Sequence, residues 1–332
     1  MRIALCYFTG TGNTEYAARA LAEGFGPEHE STLFNIEEQQ AGFESGLAAY
    51  DLVGFGSPVY AFGIPRPIEL LLRRLPPGHN RRVFLFMTVP GEALGALHHP
   101  TSLLRKRGYD VVGSFHLAAP SNVFIDRKEG DEYVYRVLGY TERQNPAEML
   151  DRGRAQAREA ARAILAGERR HVRTSILQRV ASWFGRMMVH TSAWQMRFFY
   201  SANSACNRCG LCARSCPTRN IKLGPRGPRF GWRCAFCYRC LNLCPVHAVR
   251  MRWPTSMFDN RAQYICPGWQ PTNHEGSGKL GHSPLVHSGM TRWAHPHGAT
   301  SDKRGTMSAV HEKVRAGRDE AEAAHEEQDA DG

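Results

Sequence analysis

The stretch YFTGTGNTEYAA, residues 7–18, connects an apolar run to a segment with helical periodicity. The run that leads into it, RIALCYF, has the length and composition of a buried strand. Residues 9–14 then supply hydroxyl groups, one side-chain amide and two glycines at the start of the predicted helix. Because backbone N–H groups at a helix N-terminus attract anions, this loop is predicted to bind a phosphate group. The loop lacks the lysine of a Walker loop and does not match the G-x-G-x-x-G dinucleotide pattern.

Four more apolar runs of strand length follow, and they alternate with segments of helical periodicity. The runs are STLFNI at 31–36, DLVGFGSP at 51–58, RVFLFMTV at 82–89 and YDVVGSFHLAA at 109–119. A last helix is predicted at 146–167, where a proline opens the segment and Gly167 closes it. This rhythm predicts an α/β domain at 1–167, with a doubly wound parallel sheet that carries helices on both faces.

The next segment, 168–200, is predicted to be an amphipathic helical linker. Its large apolar residues recur at helical spacing on one face, from Ile176 to Met188. We expect this stripe to pack between the two neighbouring domains and clamp them together, because a stripe at helical spacing usually belongs to a core. The alternative is contact with an anionic membrane surface, since the segment also contains Arg173, Arg179, Arg186 and Arg197.

Two cysteine runs, CNRCGLCARSCP at 206–217 and CAFCYRCLNLCP at 234–245, have the same C-x2-C-x2-C-x3-C-P spacing. This spacing is typical of bacterial iron–sulfur proteins, in which the fourth cysteine of each run binds the other run's cluster. A structural zinc site would favour two C-x2-C pairs separated by a loop, and disulfides are unexpected in a reducing compartment. We therefore predict two [4Fe–4S] clusters. Their ligands are Cys206, Cys209, Cys212 and Cys244 for one cluster, and Cys234, Cys237, Cys240 and Cys216 for the other.

The cysteine region resembles bacterial-type two-cluster ferredoxins over residues 201–253, which implies a small α+β domain at 201–255. Typical members of that family are acidic, whereas residues 201–253 contain ten arginines or lysines and no aspartate or glutamate. Such cations would stabilise the reduced clusters and raise their potentials, or would form a docking face. The other two cysteines, Cys6 and Cys266, are predicted to be structural or spare thiols. Residues 256–332 are predicted to be a mostly disordered tail.

The T-G-T-G-N-T loop and the βαβ rhythm of residues 1–165 resemble flavodoxins. This resemblance implies strand order 2-1-3-4-5, with FMN at the switch point between the first and third strands. Tyr60 and Phe62 are expected to stack on the flavin ring, or alternatively to pack on the next helix. The predicted cofactor-binding residues are Thr9, Gly10, Thr11, Gly12, Asn13, Thr14, Ser57, Pro58, Val59, Tyr60, Phe62, Pro90, Gly91 and Asn122.

Residues 1–255 as a whole resemble flavodoxin–ferredoxin fusion proteins. This resemblance implies electron transfer through FMN and two [4Fe–4S] clusters, which would couple two-electron and one-electron donors and acceptors. Two alternatives stay open: a flavin-dependent reductase of a quinone or another small molecule, and a redox-sensing iron–sulfur module with a degenerate flavin site. No Ser-His-Asp, paired-carboxylate or Walker pattern indicates a different chemistry.

The formal net charge of the 332 residues is +11, and residues 151–266 contain 21 arginines and lysines against 4 aspartates and glutamates. This basic block predicts acidic redox partners or an anionic membrane surface rather than nucleic acid. The start of the chain does not have the pattern of a signal peptide, and clustered cysteines suit a reducing compartment, so a cytoplasmic location is expected.

Overall fold

The computed structural model describes residues 1–60, 63–91, 95–123, 145–192, 196–252 and 263–272. All of these residues belong to one compact unit, and residues 279–332 lie outside the described residues. Phe62 also lies outside the described residues, so its predicted contact with a flavin ring is not addressed by the structure.

A six-stranded parallel sheet forms the N-terminal half of the compact unit, in the order β2-β1-β3-β4-β5-β6. Its strands are β1 Arg2–Tyr7, β2 Glu30–Asn35, β3 Leu52–Pro58, β4 Arg82–Val89, β5 Asp110–Ala118 and β6 Arg170–His171. The first five strands follow the predicted 2-1-3-4-5 order, which is the flavodoxin-like arrangement. The sixth, a two-residue strand, lies in the stretch that was predicted to be linker.

Helices cover both faces of this sheet, as predicted. They are α1 Asn13–Phe25, α2 Phe43–Gly46, α3 Arg66–Arg74, α4 His98–Lys106 and α5 Pro146–Leu165, with a 3-10 turn at Leu47–Ala49. Helices α1 and α5 pack against one face through Leu21, Phe25 and Ile164, and α3 and α4 pack against the other. The side chain of Asn145 accepts a hydrogen bond from the N–H of Ala147 at 3.2 Å and so caps α5.

The cysteine region consists of two copies of one strand–loop–helix–strand unit, 28 positions apart. The first copy contains β7 Tyr200–Ala202, the helical turn 211–214 and β8 Ile221–Gly224. The second contains β9 Gly227–Phe230, the helical turn 239–242 and β10 Val249–Met251. Strand β7 pairs with β10 and β8 pairs with β9, all antiparallel, so the two copies are interleaved.

The two copies also share their unusual backbone conformations. Three pairs of equivalent residues have positive φ angles in the left-handed region, namely Arg208 and Phe236, Gly210 and Tyr238, and Arg219 and His247. Left-handed geometry is strained for residues with a Cβ atom, so its repetition at the same positions indicates that both cysteine loops have the same shape.

The linker forms a helix at Ile176–Ser192, called α6 here, but its apolar stripe does not clamp two domains. The expectation was wrong because α6 docks through its opposite face. A Cβ atom at Gly95 would lie 2.5 Å from the carbonyl oxygen of Gln178, so glycine allows the helix backbone to approach closely. On the same face Ser182 is buried, and the guanidinium of Arg186 lies 3.6 Å from the carboxylate of Glu69. The described large side chains of the stripe therefore face solvent, among them Ile176, Leu177, Trp183 and Phe184.

A segment of the predicted tail, residues 263–272, packs on the folded unit instead of extending away from it. Tyr264 and Cys266 are buried, and they contact Leu150 of α5. The N–H of Cys266 donates a 2.8 Å hydrogen bond to the carbonyl oxygen of Thr11. Cys266 is thus a structural thiol that covers the 9–14 loop. Across the described ranges, no helix is both long enough and apolar enough to cross a bilayer.

Candidate functional site

The loop at 9–14 turns from β1 into α1 at the edge of the sheet where the parallel strands end. Gly12 has φ 103°, a left-handed value that glycine adopts without strain, and it directly precedes the helix. The N–H of Gly12 donates to the hydroxyl of Thr9 at 2.9 Å, which closes the turn. Thr9, Thr11 and Thr14 are all buried, so the loop is an interior feature rather than an exposed one.

Several hydrogen-bond donors of this loop have no acceptor within the described part of the chain. They are the backbone N–H groups of Gly10, Thr11, Asn13 and Thr14. A buried N–H group without an acceptor is costly, and the first N–H groups of a helix are free to bind a ligand. The arrangement therefore fits a phosphate group at the helix N-terminus.

Tyr60, which is predicted to stack on a flavin ring, directs its hydroxyl group at this loop. Its hydroxyl is buried without a hydrogen-bond partner among the described residues, and a Cβ atom at Gly10 would overlap it. Burial raises the pKa of Tyr60 well above its ordinary value, so the hydroxyl stays protonated and remains a donor. It is one more donor that a bound anion would satisfy.

Several other predicted flavin contacts form hydrogen bonds or packing contacts within the protein. The hydroxyl of Thr14 forms a 2.9 Å hydrogen bond with that of Thr88, and the hydroxyl of Ser57 donates to the carbonyl of Pro58 at 2.7 Å. Val59 packs against the hydrophobic core. Beyond the end of β4, Pro90 is partly buried and Gly91 is exposed.

All four cysteines of the first predicted set line one small cavity: Cys206, Cys209, Cys212 and Cys244. Apolar residues close the remaining walls, among them Leu223, Val246 and Val249. The Sγ atom of Cys244 accepts a 3.1 Å hydrogen bond from the N–H of Ala248, which holds this side chain at the cavity wall. The structure thus brings the fourth cysteine of the second run to the loop of the first run.

The four thiols of the second predicted set are close enough to interact electrostatically. Burial and the charges of nearby thiols raise the pKa of Cys240 well above its ordinary value, and those thiols include Cys237, Cys234 and Cys216. The Sγ atom of Cys216 accepts a 3.2 Å hydrogen bond from the N–H of Asn220, at the position equivalent to Ala248 in the other copy. Cys212 of the first set also raises the pKa of Cys240, so the two sets are neighbours.

The thiols of the two sets, most of them buried or partly buried, suit a metal cluster in their chemistry. Burial and neighbouring thiols raise the pKa of Cys212 to about 11, so its thiolate would need compensating positive charge, which a metal cluster supplies. Within the described ranges, no three His, Cys, Asp or Glu side chains converge closely enough to bind a single metal ion. A four-iron cluster distributes its cysteine ligands over separate iron atoms and does not need that convergence.

Arg239, which the sequence did not single out, connects the second cysteine loop to the 9–14 loop. It is 1% exposed. Its guanidinium donates to the carbonyl oxygens of Thr9 at 2.6 Å and Gly10 at 2.9 Å, and to that of Ser215 at 2.8 Å. Two further hydrogen bonds, of 2.6 and 2.8 Å, reach the carboxylate of Glu37. All five N–H donors of Arg239 are thus used.

Asn122, predicted as a flavin contact, also bridges the two halves. Its side-chain amide donates to the carbonyl oxygen of Cys237 at 3.0 Å, and its backbone carbonyl accepts from the side chain of Asn242 at 3.0 Å. A Cβ atom at Gly10 would lie 3.0 Å from that same carbonyl of Cys237. The predicted phosphate loop and the second cysteine loop are therefore in direct contact.

No protein-family model and no curated protein sequence matches this chain. The chain is similar to flavodoxin 2 from Bacillus cereus in its oxidised form, with 18% identity, a TM-score of 0.34, and coverage of 50% of this chain and 99% of the flavodoxin. A flavodoxin from the domain Archaea has 15% identity and a TM-score of 0.32 over 50% of this chain and 99% of its own. TM-scores below 0.5 do not establish a shared fold. The flavodoxin-like fold is therefore assigned from the strand order of the sheet.

Proposed function

We propose that this chain transfers electrons between FMN at the 9–14 loop and two [4Fe–4S] clusters held by the crossed cysteine sets. The observation that carries the proposal is the direct contact between the two sites through Arg239, Asn122 and the carbonyl of Cys237. FMN takes up two electrons and releases them singly, and each cluster accepts one. A shared, buried contact supports electron transfer within one chain.

The FMN phosphate is proposed to accept hydrogen bonds from the backbone N–H groups of the 9–14 loop and from the hydroxyl of Tyr60. The Thr11 hydroxyl, which has no partner among the described residues, would be a further donor. These donors are neutral, so the helix N-terminus and several hydrogen bonds together would balance the phosphate charge. The segment at 264–269 covers the loop and would exclude water from it.

The crossed cysteine sets are proposed to bind the two clusters, and the backbone N–H groups that donate to Cys216, Cys234 and Cys244 would stabilise the coordinating sulfurs. The ten arginines and lysines of residues 201–253 would favour the reduced, more negative clusters. Arg239 acts on the second set directly, because its charge lowers the pKa of Cys237, although the paired carboxylate of Glu37 offsets part of this effect.

A second candidate function is the reduction of a small molecule such as a quinone at the flavin. It is favoured by the loop after β4, where Gly91 is exposed and offers no side chain to cover that side of the site. This candidate predicts saturable turnover of a small oxidant without a protein partner.

A reductive titration of the anaerobically purified holoprotein tests the proposal. We expect uptake of about four electrons per chain, two by the flavin and one by each cluster. Absorbance and electron paramagnetic resonance monitor the titration. Iron signals without any flavin would overturn the FMN assignment and would favour a redox-sensing iron–sulfur module.

A further inference from the structure

Helix α6 presents an uncovered apolar surface, which is defined here as the α6 apolar face. Ile176 and Leu177 are each 78% exposed, and Trp183 and Phe184 are each 57% exposed. The face also includes Val180, which is 56% exposed. Of the twelve exposed large apolar side chains in the described residues, six lie on this one helix. Such a concentration is unusual on a free protein surface and marks an interaction site.

The helix is fixed in this orientation by its opposite face. Its polar side packs closely against Gly95 and, through Arg186, lies beside His99 and Glu69. The apolar face is therefore presented outward by a docked helix. The hydrogen bond from the N–H of Gln178 to the hydroxyl of Ser175 caps the start of α6 and adds to its order.

The segment of chain that contains this face carries only positive charge. Residues 169–252 contain sixteen arginines and lysines and no aspartate or glutamate. Arg173 and Arg179, which precede and flank the face, are exposed and form no ion pair with another described residue. Two copies of the chain facing each other here would repel, whereas an anionic surface would be attracted.

We propose that α6 lies flat on an anionic lipid surface, with its apolar face inserted between headgroups and its arginines on lipid phosphates. An amphipathic helix with tryptophan and phenylalanine on one side and arginine at its edge has the composition of an interfacial helix. The attraction of anionic lipid for basic residues supplies the electrostatic part of binding. The electron-transfer sites would then work at a membrane surface, in reach of membrane-bound electron donors or acceptors.

Vesicle co-sedimentation of the full-length holoprotein tests this proposal. Vesicles of mixed phosphatidylcholine and phosphatidylglycerol should bind the protein, and vesicles of phosphatidylcholine alone should bind it much less. Replacing Trp183→Ser and Phe184→Ser together should weaken binding roughly tenfold or more, because two large apolar side chains no longer insert. Leu70→Ser is the matched control, since Leu70 is 42% exposed on α3, and it should leave binding unchanged.

A second double variant distinguishes insertion of the α6 apolar face from nonspecific electrostatic attraction of a basic protein to anionic lipid. Arg173→Glu with Arg179→Glu should remove the preference for anionic vesicles, and added salt should weaken wild-type binding in the same direction. If the Trp183/Phe184 variant binds as tightly as wild type, the apolar face does not insert and the proposal fails. It also fails if wild type ignores vesicles but forms dimers that this variant loses, since the face is then an interface between copies.

Discussion

Arg239 and Glu37 form a bidentate ion pair in which both side chains are almost fully buried, with N···O distances of 2.6 and 2.8 Å. Arg239 lies between two predicted cluster ligands, and Glu37 follows strand β2 of the flavodoxin-like sheet. Burial lowers the pKa of Arg239, but the hydrogen-bonded carboxylate of Glu37 raises it more, so the guanidinium stays charged. The pair therefore fastens the cysteine region to the sheet.

Removal of one partner of this pair should destabilise the protein strongly. Arg239→Leu removes the bidentate ion-pair partner of the buried Glu37 carboxylate, and should cost about 3–5 kcal/mol of unfolding free energy. Adding Glu37→Gln to the Arg239→Leu variant should recover part of the lost unfolding free energy, because the double variant no longer buries a charged carboxylate. Urea unfolding under anaerobic conditions, monitored by circular dichroism, measures the unfolding free energy of both variants. Arg226→Leu, at an exposed position of the same region, should change stability by less than about 0.5 kcal/mol. Equal effects of Arg239→Leu and Arg226→Leu would contradict a fastening role.

Crossed cluster binding predicts which site a single cysteine change will damage. Cys244→Ser should disrupt the cluster at the 206–212 loop, because the structure places Cys244 in that cavity, and should leave the cluster at 234–240 largely intact. Cys216→Ser should have the opposite effect. Iron analysis and electron paramagnetic resonance distinguish the two outcomes. Loss of the 234–240 cluster in the Cys244→Ser variant would show that each run binds its own cluster.

The phosphate loop predicts different effects for its two central threonines. Thr11→Ala removes a hydroxyl that has no protein partner in the described residues, and should weaken FMN binding by roughly 1–3 kcal/mol. In Thr14→Ala, the hydrogen bond to Thr88 is also lost, so stability should fall as well. Flavin retention during dialysis and thermal unfolding separate these effects, with Thr101→Ala as a control on α4. Full flavin retention by Thr11→Ala would mean that this hydroxyl does not contact the phosphate.

Gly10 lies where the 9–14 loop contacts the second cysteine loop. Gly10→Ala would place a methyl group on the Tyr60 hydroxyl and 3.0 Å from the carbonyl of Cys237. Forced separation of these loops should cost about 1–3 kcal/mol and slow electron transfer from flavin to cluster in rapid-mixing experiments. Gly46→Ala is the control, because a Cβ atom there meets no other atom within 4 Å. Unchanged transfer in Gly10→Ala would show that this contact does not set the electron path.

The sequence predicts the sheet and both cysteine sets because those features depend on local patterns. Apolar runs of strand length identify β1 to β5, and the duplicated spacing predicts which cysteines share a site. The direction in which α6 faces could not be predicted in this way. Its apolar stripe is a property of the helix alone, whereas its docking depends on Gly95, Arg186 and Glu69, which lie far apart in the chain. The role of Arg239 could not be predicted either, because an arginine in a basic segment is usually a surface residue and its partners Thr9, Gly10 and Glu37 lie far away in the chain.

The content of the purified protein tests the central claim most directly. Protein isolated without oxygen, at neutral pH, should contain about eight iron atoms, about eight acid-labile sulfides and about one FMN per chain. These values follow from two complete cysteine sets and one phosphate loop on a single chain. Four iron atoms per chain, or zinc with no visible chromophore, would contradict the account.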